Sequence, residues 1–304
     1  MKWLGFVALL AVSACAPTPE IGDPQPWVPA EDIVGAFRPE IVPAAVPARA
    51  HGVQDGMLRV VTYNVERGQN VAGLATWFEK DAELRQADLV MVQEIEDHPG
   101  EGGSRTARLA RRLKMGYVYA PERINGDGTH GTAILSAYPL SNVRVMQLPH
   151  VDLPFSEAQR IALSADVDLG DGRSFHVITM HLDTRMSIQQ RILQIRPAII
   201  DAPDRTVVGG DFNTNPYMWA DGSIPQLPTN TVAGTDQAPM FDDYMRHVGF
   251  ATPTQDLGPT ERNGPQDSRL DSIFVRGLDV VPGQVEREVD LSDHWPLWVD
   301  VVMP

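Results

Sequence analysis

The sequence is almost without cysteine: Cys15 stands alone among 304 residues. A single thiol excludes an internal disulfide, so stability has to come from a packed core and from bound groups. Positive charge is also scarce. Lysine and arginine number 25 against 40 aspartates and glutamates, a formal net charge of −15. That balance repels polyanions at long range and weighs against tight, sequence-independent nucleic-acid binding. No internal repeat is visible, and the apolar run within residues 1–14 is too short to span a bilayer permanently. What is present is ordinary for a folded domain: 43% hydrophobic residues over this length suffice for one large α/β core.

The chain opens on MKWLGFVALLAVSA, a short basic start, an apolar stretch and a small-residue exit, which reads as a secretory signal over 1–14. The following Val12-Ser13-Ala14-Cys15 resembles the lipobox of bacterial lipoproteins, in which the cysteine is lipidated and becomes the new N-terminus. A plain secretory signal that contains a cysteine is the other reading. The resemblance implies lipidation at Cys15, export, and membrane attachment through the lipid at the periplasmic face of the outer membrane. Several acyl chains would hold firmly, at roughly 0.8 kcal/mol per buried methylene. Eight prolines between Pro17 and Pro47 make residues 15–56 a proline-rich linker, extended enough to hold a domain off a membrane. For its second half the alternative is a tail that packs on the domain through Trp27, Ile33, Val34 and Phe37. Residues 57–304 are then the expected catalytic domain, as a monomer.

From Met57 onward short apolar runs alternate with helical stretches. Strands are expected at Leu58 to Tyr63, Asp88 to Val92, Thr132 to Ser136, Ile161 to Val167, Phe175 to Met180, Thr206 to Val208, Leu270 to Val275 and Pro296 to Val301. Helices fit Val71 to Arg85, Ser104 to Lys114, Met186 to Ile200 and Phe241 to Val248. Such alternation points to a layered α/β architecture. Pro216 to Pro239 reads as a long, turn-rich insertion beside a polar motif, where loops often shape substrate access.

Polar residues collect where the apolar runs begin or end. The sets are Tyr63-Asn64-Val65-Glu66 after LRVVT, Gln93-Glu94 after DLVMV, His181-Leu182-Asp183 after FHVITM, Gly210-Asp211-Phe212-Asn213 after TVVG, Arg269-Leu270-Asp271 before SIFV, and Ser292-Asp293-His294 before WPLWVDVV. A core alone does not need this, whereas one site fed by many strand ends does. In this order and spacing, YNVE, QE, GDFN, RLD and SDH resemble the endonuclease/exonuclease/phosphatase superfamily over residues 57 to 304. The resemblance implies a four-layer α/β/β/α sandwich, two mixed β-sheets packed face to face with helices outside and the site at one edge. It also implies a metal-dependent hydrolase of phosphate esters that uses Mg²⁺ or Mn²⁺.

Glu94 can offer hard oxygen to such an ion at a strand end, and the resemblance makes it the principal metal ligand. Asn64 can give its carbonyl oxygen to the metal or its NH₂ to a phosphate oxygen. Asp211 and Asn213, two apart, share a face if the strand geometry continues, so the Asp can orient or deprotonate water while the Asn holds phosphate. The resemblance implies that Asp271 pairs with His294, fixing its tautomer and raising its basicity. It further implies that His294 contacts the scissile phosphate or helps activate water, that Asp293 contributes near the metal, and that Glu66 lends support from outside the ligand set. Catalysis is thus expected from His181, Asp211, Asn213, Asp271 and His294, phosphate binding from Asn64, His181, Asn213 and His294, and metal binding from Glu94, Asn64 and Asp293.

His181 discriminates within the family. Deoxyribonuclease-like, sphingomyelinase-like and phosphoinositide-phosphatase-like branches carry a histidine there, whereas apurinic-site endonucleases typically do not. Gly128 to Leu140 resembles the family's strand pair near the site, and Arg160 sits where a phosphate-facing or structural arginine is common. Arg105, Arg108, Arg111, Arg112 and Lys114 line one helix as either a local anion-binding face or a solvated one. The substrate is expected to be a phosphate ester. A nuclease-like phosphodiesterase, a phospholipid or sphingomyelin head-group hydrolase and a phosphomonoesterase all stay open, with a non-catalytic surface lipoprotein as the rival from another class.

Overall fold

The computed structural model describes residues 21–44, 56–151, 159–170, 172–216, 218–220, 224–226, 236–262 and 267–303. Residues 1–14, Cys15 and most of the Pro216 to Pro239 insertion lie outside the described residues. In chain order the elements are β1 (Val28–Pro29), β2 (Glu40–Val42), β3 (Met57–Arg67), α1 (Val71–Lys80), β4 (Leu89–Asp97), α2 (Arg105–Leu113), β5 (Gly116–Asn125), β6 (Gly128–Ser136), β7 (Leu140–Gln147) and β8 (Ile161–Gly170). They continue with β9 (Arg173–His181), α3 (Ile188–Ile199), β10 (Thr206–Asp211), β11 (Met218–Ala220), β12 (Ile224–Gln226), α4 (Gln237–His247), β13 (Asp271–Arg276), β14 (Asp279–Val285) and β15 (Leu297–Val302).

Two sheets result, β1-β7-β8-β9-β10-β13 and β14-β15-β3-β4-β6-β5-β2, with β11 and β12 as a separate pair. Both large sheets are mixed: β3 runs parallel to β4 and β9 to β10, and their other pairings are antiparallel. Strand side chains alternate between faces, and here both faces are apolar. Leu58, Val60, Leu89 and Met91 point inward against Leu163, Ala165, Val177, Val207 and Ile273 of the other sheet. Their neighbours Val61, Val90 and Val92 point outward onto Leu74, Phe78 and Leu109 of α1 and α2. Ile178, Val208 and Phe274 do the same on α3 and α4, against Ile195, Phe241 and Met245. The chain therefore forms the four-layer α/β/β/α sandwich expected of it.

Local chemistry sets the helix ends. The sequence pattern runs α1 on to Arg85, but Asp81 turns extended and its Oδ1 accepts from the Glu83 and Leu84 N–H groups, which closes the helix at Lys80. Ser187 and Gln190 form a capping box that starts α3, and Asp236 caps α4, its side chain accepting from the Ala238 N–H.

Between the two readings of the proline-rich segment, residues 21–44 take the packed one. β1 pairs with β7, β2 pairs with β5, and Trp27 and Ile33 pack against the cores, while Val34 and Phe37 stay exposed. Strands β5, β7 and β14 are not marked by the apolar runs. β14 is a largely exposed edge and carries Pro282, while β5 contains Pro121, so neither shows clean alternation. Among the described residues, no helix is long and apolar enough to cross a membrane.

Candidate active site

The strand registers bring the site together. Asp211 at the end of β10 lies opposite His181 of parallel β9 and opposite Asp271 of antiparallel β13, so three adjacent strands present these residues in one row. They share the inward parity of Val177, Val207 and Ile273. Across the gap, Asn64 continues the inward parity of Leu58 and Val60. The apolar layer between the sheets thus ends in a polar rim. Gly209 and Gly210 permit this approach: a Cβ at Gly209 would stand 2.1 Å from Met91 Cε, and one at Gly210 2.0 Å from the Met180 carbonyl oxygen.

Glu94 reaches the rim by breaking its strand's rule. Between the pairs Val92↔Ala133 and Ile95↔Gly131, β4 carries one residue more than β6, and Glu94 sits in this bulge at φ 59°. A bulge re-aims a side chain, and a non-glycine residue at positive φ is a strained position typical of functional sites. Asn213 adopts φ 52° directly after β10. Gln93, behind Glu94, donates from Nε2 to Thr179 Oγ1 at 3.0 Å and thereby ties the two sheets together.

Hydrogen bonds join the two halves. Asn64 Nδ2 donates to Glu94 Oε1 at 3.1 Å and to Asp211 Oδ2 at 3.0 Å, while its Oδ1 accepts from the Glu66 N–H at 3.1 Å. Its amide oxygen, the atom a metal would use, is therefore turned to the backbone. Asp211 Oδ1 accepts from the Asn213 N–H at 2.9 Å. Asn213 Nδ2 donates to the Leu182 carbonyl at 2.9 Å and lies 3.0 Å from His181 Nε2. Asp271 Oδ2 meets His294 Nδ1 at 2.7 Å, which turns His294 Nε2 toward Asp211 Oδ2, 3.7 Å away. Ser292 Oγ donates to the Asn64 carbonyl at 2.8 Å and accepts from the His294 N–H, fastening the SDH turn to the end of β3.

Asp211, Asp271 and His294 are all buried, and one ligand atom from each lies within 4.8 Å of the others. Among the described residues this is the only such group of three. Glu94 stands outside it, linked through Asn64. Asp293 is half-buried, has Oδ1 3.3 Å from Ser292 Oγ, and is not drawn into the group.

Burial and charge set the protonation states. Burial pushes the Asp211 carboxyl up, the His294 charge pulls it back and Asp271 pushes it further, leaving it at about 7. For His294, burial favours the neutral ring, but Asp271, Asp211 and Asp293 outweigh it and hold the ring well above its ordinary value. Burial and the Arg160 charge hold His181 well below, as a neutral ring. Arg160 Nη1 has only protons to offer, so it donates to His181 Nδ1 at 3.1 Å, while Nε2 faces Asn213 Nδ2 at 3.0 Å and Asp211 Oδ2 at 3.4 Å. Burial raises the Glu94 carboxyl, but its interactions with His130, His181 and Asn64 prevail and hold it well below the carboxylate range.

The structure adds residues that the motifs do not single out. His130 of β6 is buried, with Nε2 3.8 Å from Glu94 Oε2. Glu122 of β5 accepts from Arg160 Nη1 at 3.0 Å, and Asp183 accepts from Arg160 Nε at 2.9 Å, so Arg160 positions His181 from below. Arg191 of α3 is fully buried. It donates to the carbonyls of Asp183, Thr184, Met186 and Phe212, the two turns that carry the HLD and GDFN sets. Only its place on an apolar helix face hinted at this. On the arginine-lined helix α2, three of the five basic residues are held by carboxylates: Arg105 pairs with Glu96 and Glu101, Arg108 with Glu101, and Arg112 with Glu79.

Two mixed sheets whose facing edges carry a carboxylate and imidazole cluster define a layered sandwich with one polar site at its rim. Residues 61–294 match the model of the Endonuclease/Exonuclease/phosphatase family, so the chain belongs to that family and, at this coarse level, to its phosphoester hydrolases. Uncharacterized protein YbhP of Escherichia coli (strain K12) is 26% identical over 235 residues, 71% of this chain and 83% of that protein. An endonuclease/exonuclease/phosphatase from Beutenbergia cavernae shares the fold at TM-score 0.61 and 21% identity, covering 81% of this chain and 72% of that one. The human Nocturnin catalytic domain with bound sulfate does so at TM-score 0.57 and 16% identity, covering 89% and 98%.

Proposed function

We propose that the protein is a phosphodiesterase that works with a bound divalent cation, and that its substrate is a small or head-group phosphate diester rather than a nucleic acid. The observation that carries this reading is the convergence of Asn64, Glu94, His181, Asp211 and Asn213, joined by hydrogen bonds, with the Asp271–His294 pair, whose Nε2 lies 3.7 Å from Asp211 Oδ2. The donor set fits a hard divalent ion. Three carboxylates face one rim, and Asp271 Oδ1 is buried without a hydrogen-bond partner, an acceptor that protein groups leave unused. Glu94 would hold the ion, while Asn64 orients the Glu94 and Asp211 carboxylates through its NH₂. When bound, the ion would offset charge on a phosphoryl oxygen.

The remaining work falls to the chain's own side chains. Asp211, raised to about 7, is basic enough to accept a proton from a water aligned with the phosphorus. Its orientation is fixed by the Asn213 N–H on one oxygen and Asn64 on the other. His294, kept cationic by Asp271, places its Nε2–H where charge builds on the phosphoryl oxygens, and His181 and Asn213 provide further donors there.

Two observations favour a small substrate. The net charge is −15. A cavity of about 340 Å³ is lined by Thr214, next to Asn213, by Asp236, Asp256 and Asp267, by Arg246, and by Asp242 paired with Arg269, a surround with a net acidic balance that disfavours a polyanion. Lipidation at Cys15 and attachment to the periplasmic face of the outer membrane complete the proposal, with a phosphate ester near that surface as substrate and the protein acting as a monomer.

The test is a panel with Mg²⁺ or Mn²⁺ across bis-p-nitrophenyl phosphate, p-nitrophenyl phosphate, sphingomyelin, RNA and plasmid DNA. Turnover of the simple diester is expected, reversibly abolished by EDTA and reduced about 10²-fold or more in Glu94→Ala and His294→Ala with the fold intact. Wild-type rates in both variants would refute the site, and preferred cleavage of DNA would refute the substrate.

A further inference from the structure

His130 has no role in the chemistry described above, yet it lies against that site. It is 2% exposed, sits in β6 beside the β4 bulge, and brings Nε2 to 3.8 Å from Glu94 Oε2. That separation is too long for a hydrogen bond. Its other ring nitrogen, Nδ1, is buried with no hydrogen-bond partner. Two donors of one ion, each bonded at about 2.1 Å, lie between about 3 Å apart when cis and about 4.2 Å apart when trans. The spacing of His130 Nε2 and Glu94 Oε2 falls inside that interval.

We propose that His130 Nε2 is a nitrogen ligand sharing one metal ion with Glu94, and that the site therefore takes a first-row transition ion in preference to Mg²⁺. This rests on the reading of Glu94 as a metal-holding carboxylate. Carboxylate alone suits Mg²⁺, whereas an imidazole adds affinity along the series toward Co²⁺, Ni²⁺ and Zn²⁺ and adds little for Mg²⁺. The backbone supports the placement. Gly131, next to His130, lets β6 close on β5, where a Cβ would stand 2.1 Å from the Ala120 carbonyl oxygen. The bulge on the other side turns Glu94 toward the same ring.

Calorimetric titration of the folded protein with Co²⁺ and with Mg²⁺ tests this, in wild type, His130→Gln and Glu94→Gln. His130→Gln is expected to weaken Co²⁺ about tenfold or more and Mg²⁺ by less than about threefold, while Glu94→Gln weakens both. Equal losses for the two ions, or none, in His130→Gln overturn the proposal and leave the Glu94 site standing. Failure of the wild type to bind either ion, or of Glu94→Gln to weaken them, refutes the site reading itself. Should His130→Gln not fold, pulsed EPR of Mn²⁺ in the His181→Gln/His294→Gln variant decides. Nitrogen coupling to the ion must persist there through His130, and its absence overturns the assignment.

Discussion

Asp271 illustrates how one buried side chain governs another. Its Oδ2 accepts from His294 Nδ1–H at 2.7 Å, which orients the ring and sets the cationic preference of an imidazole that burial alone would hold neutral. Asp271→Asn keeps the shape and removes the negative charge. The His294 pKa is then expected to fall, and kcat to drop by about 10²-fold to 10⁴-fold, as in other catalytic carboxylate and imidazole pairs. An NMR titration of His294 alongside kcat measures both, and an unchanged His294 pKa would refute the dependence. At this scale the sequence was generous. Asn64, Glu94, His181, Asp211, Asn213, Asp271 and His294 were legible because each lies at or beside the end of an apolar run. His130 and Glu122 were not, since the strand-pair resemblance of Gly128 to Leu140 singles out neither residue, and the meeting of His130 with Glu94 depends on strand register and a bulge that composition does not encode.

Among the elements, the β5–β6 hairpin has a clip of its own. His98, just past β4, lies between Asp127 of the hairpin turn, 2.9 Å from Nδ1, and Glu96 of β4, 3.0 Å from Nε2. Both ring nitrogens then donate, so the bond to Asp127 and that to Glu96 raise the His98 pKa. A folded-state pKa above the unfolded value of about 6.5 stabilises fully below that value, and the contribution disappears as pH rises through the folded pKa. Wild type is therefore expected to exceed His98→Gln in Tm at pH 5.5, with the gap closing by pH 8.5. A gap independent of pH would show the clip to be neutral packing. Such details explain the limits of reading elements from pattern. The central strands announce themselves through unbroken apolar runs, whereas β7 and β14, with few buried positions, carry too little hydrophobic signal and form because a paired neighbour offers them a ladder.

On the scale of the whole molecule, folding and ion binding are coupled. The sandwich buries apolar side chains through three interlayer cores, but at one end it also draws Asp211, Asp271 and His294 together with Glu94 nearby. Burying a carboxylate opposes folding, and the rise of Asp211 to about 7 expresses that cost as a proton affinity, with Asp271 adding to it and the His294 charge working against it. A cation that binds only the folded state relieves it. At 100 times its Kd such an ion adds about 2.7 kcal/mol, which for a domain of this size corresponds to a Tm rise of about 5 to 10 °C. Scanning calorimetry with EDTA and then with excess Mn²⁺ should show this rise in wild type. Glu94→Ala should abolish it, while its own Tm in EDTA stays near or above that of the wild type, because one negative charge has left the rim. A rise of equal size in Glu94→Ala would place the stabilising ion elsewhere on the molecule.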